Sequence, residues 1–229
     1  MLAGTIVAVN TPGDLRSTKA FRLNSPTLNA NRLCIAAAAI ALVAILGGGW
    51  FMFFREDAYA LNGSELPGDP ASDLALTAQD GEAFTLDSQR GKMVLVYFGY
   101  TYCPDFCPTT MLDLMQVSDT LGDDADRLQV VMVSVDPERD TPEHLTEYLE
   151  FYDPGLIGLT GSPEATLEIQ RGYGVMAARQ APAEGSSGYL VDHSTSLFGI
   201  DPEGNLAITW AYGTEPEEIA ADVEHLLND

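Results

Sequence analysis

Apolar positions along the chain follow three rhythms, and each predicts a different kind of element. Residues 33–54, "LCIAAAAIALVAILGGGWFMFF", form an unbroken uncharged run. At about 1.5 Å of rise per residue, a helix of that length matches a hydrocarbon core of about 30 Å. Residues 55–73 are polar, carry Gly and Pro and hold no period, so they read as a linker. Beyond them "LALTAQDGEAFTL" alternates around Asp80-Gly81, a hairpin signature. "MVLVYFGY" (93–100) is a continuous apolar run with the length of a buried strand.

Further on, Met111, Leu112, Met115 and Leu121 recur at helical spacing after Pro108, and "LQVVMVSV" (128–135) returns to strand character. The loop "DPERD" leads into a helix from about Thr141, with Pro142 in a favoured first-turn position. "LIGLTG" reads as a strand and "SPEATLEIQRGYG" as a helix capped by Ser162. A Gly-, Ser- and Ala-rich loop (177–188) precedes "YLVDH", "TSLFGID", a turn at 202–205, "LAITWAY" and a last helix from about Glu215. This order predicts an α/β domain whose first half is mainly parallel and whose second half is antiparallel.

Charge divides the chain at the end of the apolar run. Residues 1–55 hold five basic side chains and one acid (+4), and residues 56–229 hold six basic and thirty-three acidic ones (−27), which sum to the net charge of −23. A domain so acidic repels nucleic-acid phosphates and anionic headgroups, which excludes nucleic acid as a partner of that part. Its acids read as a solvating surface.

The positive residues before the run and Glu56 and Asp57 after it orient a single-pass anchor, with 1–32 on the cytoplasmic or matrix side and the acidic domain outside. Trp50, Phe51, Phe53 and Phe54 suit an interfacial belt at its outer end. A cleaved secretory signal ending at "AYA" (58–60) and a mitochondrial presequence over 1–32 are the alternatives. The run is longer than the usual signal core, which favours retention. The expected organisation is a tail over 1–32, an anchor over 33–54, a linker over 55–73 and a folded domain over 74–229.

Three cysteines are present. Cys34 opens the apolar run and reads as a small apolar residue. Cys103 and Cys107, in "YFGYTYCPDFCPTT", lie where a strand gives way to a helix, the position of the active dithiol in thioredoxin-like folds. A helix start favours the thiolate, which is both nucleophile and metal ligand, so position leaves redox and metal roles open. Three intervening residues give a wider bite than the usual two of a redox pair, and one soft ion could sit between the sulfurs.

Two sulfurs need a third ligand. Of three histidines, His144 falls in the first turn of a helix and His225 near the end of one, both surface positions. His193 sits at a junction between two strand-like runs, beside Asp192 and Ser194. Asp105 reads as a turn residue, Asp136 and Asp140 as holding the "DPERD" loop, Met111 and Met115 as core, and Tyr97, Tyr100 and Tyr102 as packing that shields the site.

Three segments, "VYFGYTYCPDFCPTT", "VSVDPERDTPEHLTEYL" and "YLVDHSTSLFGIDPEG", together resemble the Sco/SenC family of copper-binding assembly proteins, in matching order and spacing over roughly 66–229. The resemblance implies a thioredoxin-like domain with a central mixed sheet after one N-terminal transmembrane helix. It also implies a copper ion held by Cys103, Cys107 and His193, and help in metallating the CuA centre of cytochrome c oxidase subunit II. Cu(I) suits thiolates and imidazole at low coordination number, and Cu(II) heads the divalent affinity order. Zn(II) usually wants a fourth ligand, which only Asp105, Asp192 or water would supply.

The resemblance places the domain outside a bacterial inner membrane, facing the periplasm, or on the mitochondrial inner membrane. A metallochaperone is not an enzyme. The alternative it permits is a thiol–disulfide reductase that uses Cys103 and Cys107 to keep the oxidase subunit's cysteines reduced. A peroxidase is weaker, because no residue set for peroxide activation is legible.

Overall fold

The computed structural model describes residues 30–53, 59–153, 155–181 and 188–228. The chain divides into two compact units, 1–58 and 59–229. In the first, Ala30–Phe53 form one helix, α1, with Cys34, Ile35, Ile40, Val43 and Ile45 exposed along it. Among the described residues no helix is long and apolar enough to cross a membrane. Several side chains of the apolar run, among them Leu33, Ala36, Phe51 and Phe53, lie outside that description, as does Phe54.

The second unit is built on an eight-stranded mixed sheet in the order β1 (Ser64–Glu65), β10 (Leu206–Trp210), β9 (Leu197–Ile200), β4 (Met93–Gly99), β5 (Leu128–Ser134), β6 (Ile157–Thr160), β2 (Leu76–Ala78) and β3 (Ala83–Phe84). Its centre is β4 (Met93–Gly99), buried at every residue because it is flanked on both sides. It runs parallel to β5 (Leu128–Ser134) and antiparallel to β9 (Leu197–Ile200). The helix α2 (Phe106–Leu121) makes the crossover from β4 to β5. A second crossover, α3 (Pro142–Leu149), leads to β6 (Ile157–Thr160), which is also parallel to β5.

The hairpin of β2 (Leu76–Ala78) and β3 (Ala83–Phe84) extends the sheet beyond β6, turning where Gly81 takes a positive φ of 86°. At the other edge β10 (Leu206–Trp210) pairs with β9, and α5 (Pro216–Asn228) packs against α2. Helix starts follow the expected chemistry. The Thr141 hydroxyl accepts the His144 N–H at 3.3 Å, the Ser162 hydroxyl accepts the Ala165 N–H at 3.2 Å ahead of α4 (Pro163–Gly172), and a proline opens each helix.

Three features differ from the sequence expectation. The buried stripe of α2 is Cys107, Thr110, Met111, Leu114 and Val117, while Leu112 is 58% exposed. Spacings of three and four hold one face of a helix, and Leu112 is turned about 100° from Met111. Residues 59–73, expected as linker, are held to the domain. Here β1 (Ser64–Glu65) pairs with β10, Pro70 bridges Asn205, and the Asn62 and Gly63 N–H groups donate to Asp222 at 2.9–3.0 Å. The loop at 177–188 contains β7 (Ala177–Arg179), which pairs with β8 (Val191–His193) in a separate two-stranded sheet. Residues 182–187 of that loop lie outside the described residues.

Candidate metal centre

The site forms where β4 ends and α2 begins. Cys107 lies in the first turn of α2 and is fully buried, and Cys103 lies in the preceding turn at 8% exposure. The Cys107 N–H, one of the helix's unpaired donors, points at the Cys103 sulfur across 3.5 Å.

Cys107 behaves differently from the expected low-pKa thiol. Burial pushes it up to about 12, and the Tyr97 phenol, donating to its sulfur at 3.3 Å, only partly offsets this. The rise from 9.0 is worth about 4 kcal/mol, whereas a helix terminus contributes about 0.3–1 kcal/mol, so desolvation wins. Gly99 makes the packing feasible. A Cβ there would lie 2.6 Å from Tyr97 Cε1 and 3.2 Å from the Cys107 sulfur.

His193 arrives from the other end of the domain. Its Nδ1 lies 2.8 Å from the Ser194 carbonyl, which can only accept, so Nδ1 carries the proton and Nε2 presents a lone pair. That Nε2 lies 3.6 Å from the Cys107 sulfur. Burial lowers the His193 pKa, against the opposing pull of the Ser194 carbonyl, so the ring is neutral at physiological pH. The rings of Tyr97 and Tyr100 meet it edge-on at 6.2 and 5.8 Å.

The ligand atoms of Cys103, Cys107 and His193 lie within 4.8 Å of one another, and no other group of three such residues does so among the described residues. Bonds of about 2.0–2.3 Å place trigonal ligands roughly 3.5–4.0 Å apart, so closure on an ion takes less than about 1 Å. Two soft sulfurs and one neutral imidazole, with no carboxylate, suit Cu(I) better than Zn(II). Asp105 is exposed and outside the group, and Asp192 is engaged with Gln180.

The remaining candidates take structural places. His144 stacks on Tyr102 with ring centroids 5.0 Å apart, and His225 stacks on Tyr59 at 4.4 Å. Asp140 accepts from the Thr101 and Ser134 hydroxyls at 2.6 Å each, and Asp136 from the Tyr189 phenol at 2.7 Å. Met111 is buried and Met115 half-buried on α2. Tyr97 and Tyr100 line the site, while Tyr102 is half-exposed. Sequence reasoning did not single out Arg139, Tyr189 or Asp222. Arg139 stood in view inside "DPERD", but its partner Tyr189 is fifty residues away and no spacing rule joins them.

A profile of the SCO1/SenC family matches residues 64–228. Among relatives, an SCO2-like protein of Rickettsia conorii is 33% identical over 157 residues, covering 69% of this chain and 75% of that one. The structure of Bradyrhizobium japonicum ScoI with copper bound superposes with a TM-score of 0.63 at 37% identity, over 69% of this chain and 99% of that one. The apo Sco1 protein from Thermus thermophilus gives a TM-score of 0.65 at 35% identity, over 75% of this chain and 99% of that one. Profile, relatives and fold agree, and this chain belongs to the SCO1/SenC family.

Proposed function

We propose that this protein is a membrane-anchored copper chaperone that binds one copper ion through Cys103, Cys107 and His193 and helps to metallate the CuA site of cytochrome c oxidase subunit II. The observation that carries the reading is the convergence of two sulfurs and an imidazole within 4.8 Å from positions 86 residues apart in sequence. Copper is the cargo. The Cys107 thiol gives up its proton on binding, His193 Nε2 is already free to coordinate, and Ser194 fixes the tautomer. Three-coordination leaves the ion open to a donor from the acceptor protein, which suits transfer by ligand exchange.

Family membership and the copper-bound ScoI likeness support copper as the ion. Anchoring is supported by the uncharged run 33–54, most of it inside α1, and by the basic-before, acidic-after flanks. The same flanks support a 59–229 unit on the periplasmic side of a bacterial inner membrane or its mitochondrial equivalent.

A second reading rests on the two free sulfurs within 4.8 Å of each other: one attacks a disulfide in the target to give a mixed disulfide, the other resolves it, and the pair ends as a Cys103–Cys107 disulfide while the target's two cysteines leave as thiols. The two readings share the cysteines but not His193. The test is oxidase assembly in cells carrying His193→Ala or Cys103→Ser. The chaperone reading expects both to abolish assembly. Full assembly with His193→Ala and none with Cys103→Ser would transfer the function to the reductase.

A further inference from the structure

His193 reaches the sulfurs on a strand that the main sheet does not hold. Among the described residues β8 pairs only with β7, and the next main-sheet pairing is Leu197 in β9. Ser194, Thr195 and Ser196 between them form no regular element. Ser194 is tied to Met176, just before β7, by its N–H to the Met176 carbonyl at 3.0 Å and by its hydroxyl accepting the Met176 N–H at 3.2 Å, so the placement of His193 depends on how the β7–β8 pair is held to the domain.

The fixing comes from the "DPERD" loop after β5. The Tyr189 phenol donates to Asp136 Oδ1 at 2.7 Å, and the Tyr189 carbonyl accepts from Arg139 Nη1 at 3.0 Å. The Arg139 guanidinium carbon lies 3.7 Å from the centre of the Tyr189 ring, and its Nε pairs with Asp136 Oδ2. One guanidinium thus grips one tyrosine by both backbone and ring while an aspartate holds the two together. Arg139 Nη2 is buried without a hydrogen-bond acceptor among the described residues, so its desolvation is offset by the faces of Tyr189 and of Tyr102, 4.6 Å from the guanidinium carbon. Two residues on, the Val191 N–H donates to the Tyr100 phenol at 3.2 Å. From there the chain runs straight into His193.

We infer that Asp136, Arg139 and Tyr189 form a clasp that positions the third copper ligand, and so sets copper affinity and release without touching the ion. With the clasp closed, His193 Nε2 stays beside the Cys107 sulfur. With it open, copper remains on the two thiolates alone. These are positioning residues, and the inference rests on Cys103, Cys107 and His193 being the ligand set. Metal-site residues of this indirect kind typically change affinity by about 10–100-fold when removed.

The test uses the full chain carrying Arg139→Met, Arg139→Lys or Tyr189→Phe, each alone and combined with His193→Ala. Cu(I) affinity is read by competition with a colorimetric chelator. The His193 ring is followed by NMR in the metal-free protein, where its shifts report the nearby edges of Tyr97 and Tyr100. Arg139→Met should weaken copper about 10–100-fold. Tyr189→Phe, which removes one hydroxyl, should weaken it about three- to tenfold, with Arg139→Lys between the two. Combined with His193→Ala, each should change affinity by less than about twofold, because its effect passes through that ring. In the metal-free variants the ring signals should move while the Cys103 and Cys107 amide signals stay.

Equal weakening with and without His193, or an unmoved ring, would overturn the clasp. If the parent chain bound no copper, the ligand set would fall, and the metal-free ring shift would still decide the clasp. Should Arg139→Met fail to fold, Tyr189→Phe carries the test.

Discussion

Replacing Asp222 should loosen the start of the folded domain. This carboxylate is fully buried on α5. It accepts from the Tyr59 phenol at 2.9 Å, the Asn62 N–H and side-chain amide at 3.0 Å, the Gly63 N–H at 2.9 Å and Trp210 Nε1 at 2.8 Å. Asp222→Ala strands the buried Trp210 donor away from water, at about 1–3 kcal/mol, and loses the partly buried bonds from Asn62 and Gly63, at about 0.5–1.5 kcal/mol each, so about 4 kcal/mol is expected. For a domain of this size that lowers Tm by about 8–16 °C. Asp222→Asn keeps the shape but turns one acceptor into a donor facing donors, and should cost about half as much.

The pH dependence has a definite sign. Burial alone would raise the Asp222 pKa, but the donors from Asn62, Gly63, Trp210 and Tyr59 outweigh it and hold the group below its ordinary value. Its stabilisation is therefore complete above about pH 4 and is lost as pH falls through the lowered folded pKa. Urea denaturation of parent and Asp222→Asn chains at pH 7, 5 and 3 should show a gap that is equal at the two higher values and narrower at pH 3. A gap below about 1 kcal/mol for Asp222→Ala, or one that widens in acid, would refute the reasoning.

Other outcomes follow from the site. Because burial holds the Cys107 thiol protonated up to about pH 12, copper must displace that proton. Cu(I) affinity should rise at least about tenfold per pH unit between pH 6.5 and 8.5, with a slope one unit smaller in Cys107→Ser, and a flat profile would contradict the assignment. Gly99→Ala forces a methyl against Tyr97 and the Cys107 sulfur. It should cost about 1–3 kcal/mol in denaturation and weaken copper binding, and unchanged affinity would show that Tyr97 can move without consequence.

Much of this was legible because local rules sufficed. The continuous run of β4, the Ser162 cap, the helix start at Thr141-Pro142, the Asp80-Gly81 turn and the dithiol at a strand-to-helix junction are each readable within a few residues. The convergence of His193 was not. Position set it apart from His144 and His225 but did not make it a ligand, and the resemblance to a family did. The stripe of α2 was misread at Leu112 because Met111 and Leu112 are adjacent and only one can face the core.

Cys107 shows a different limit. A helix N-terminus predicts a lowered pKa, but depth of burial is a tertiary quantity that no spacing reveals. The same holds for Asp222 and for Tyr189. Each is an ordinary residue in sequence and becomes important through partners 12 to 163 residues away.

The most direct measurement of the ligand set is X-ray absorption on the reduced full chain loaded with Cu(I), compared with His193→Ala. The parent should hold one copper per chain with two sulfur scatterers and one imidazole nitrogen. The variant should keep both sulfurs and lose the nitrogen. A parent spectrum with sulfur ligands only, or a nitrogen shell that survives His193→Ala, would contradict the account.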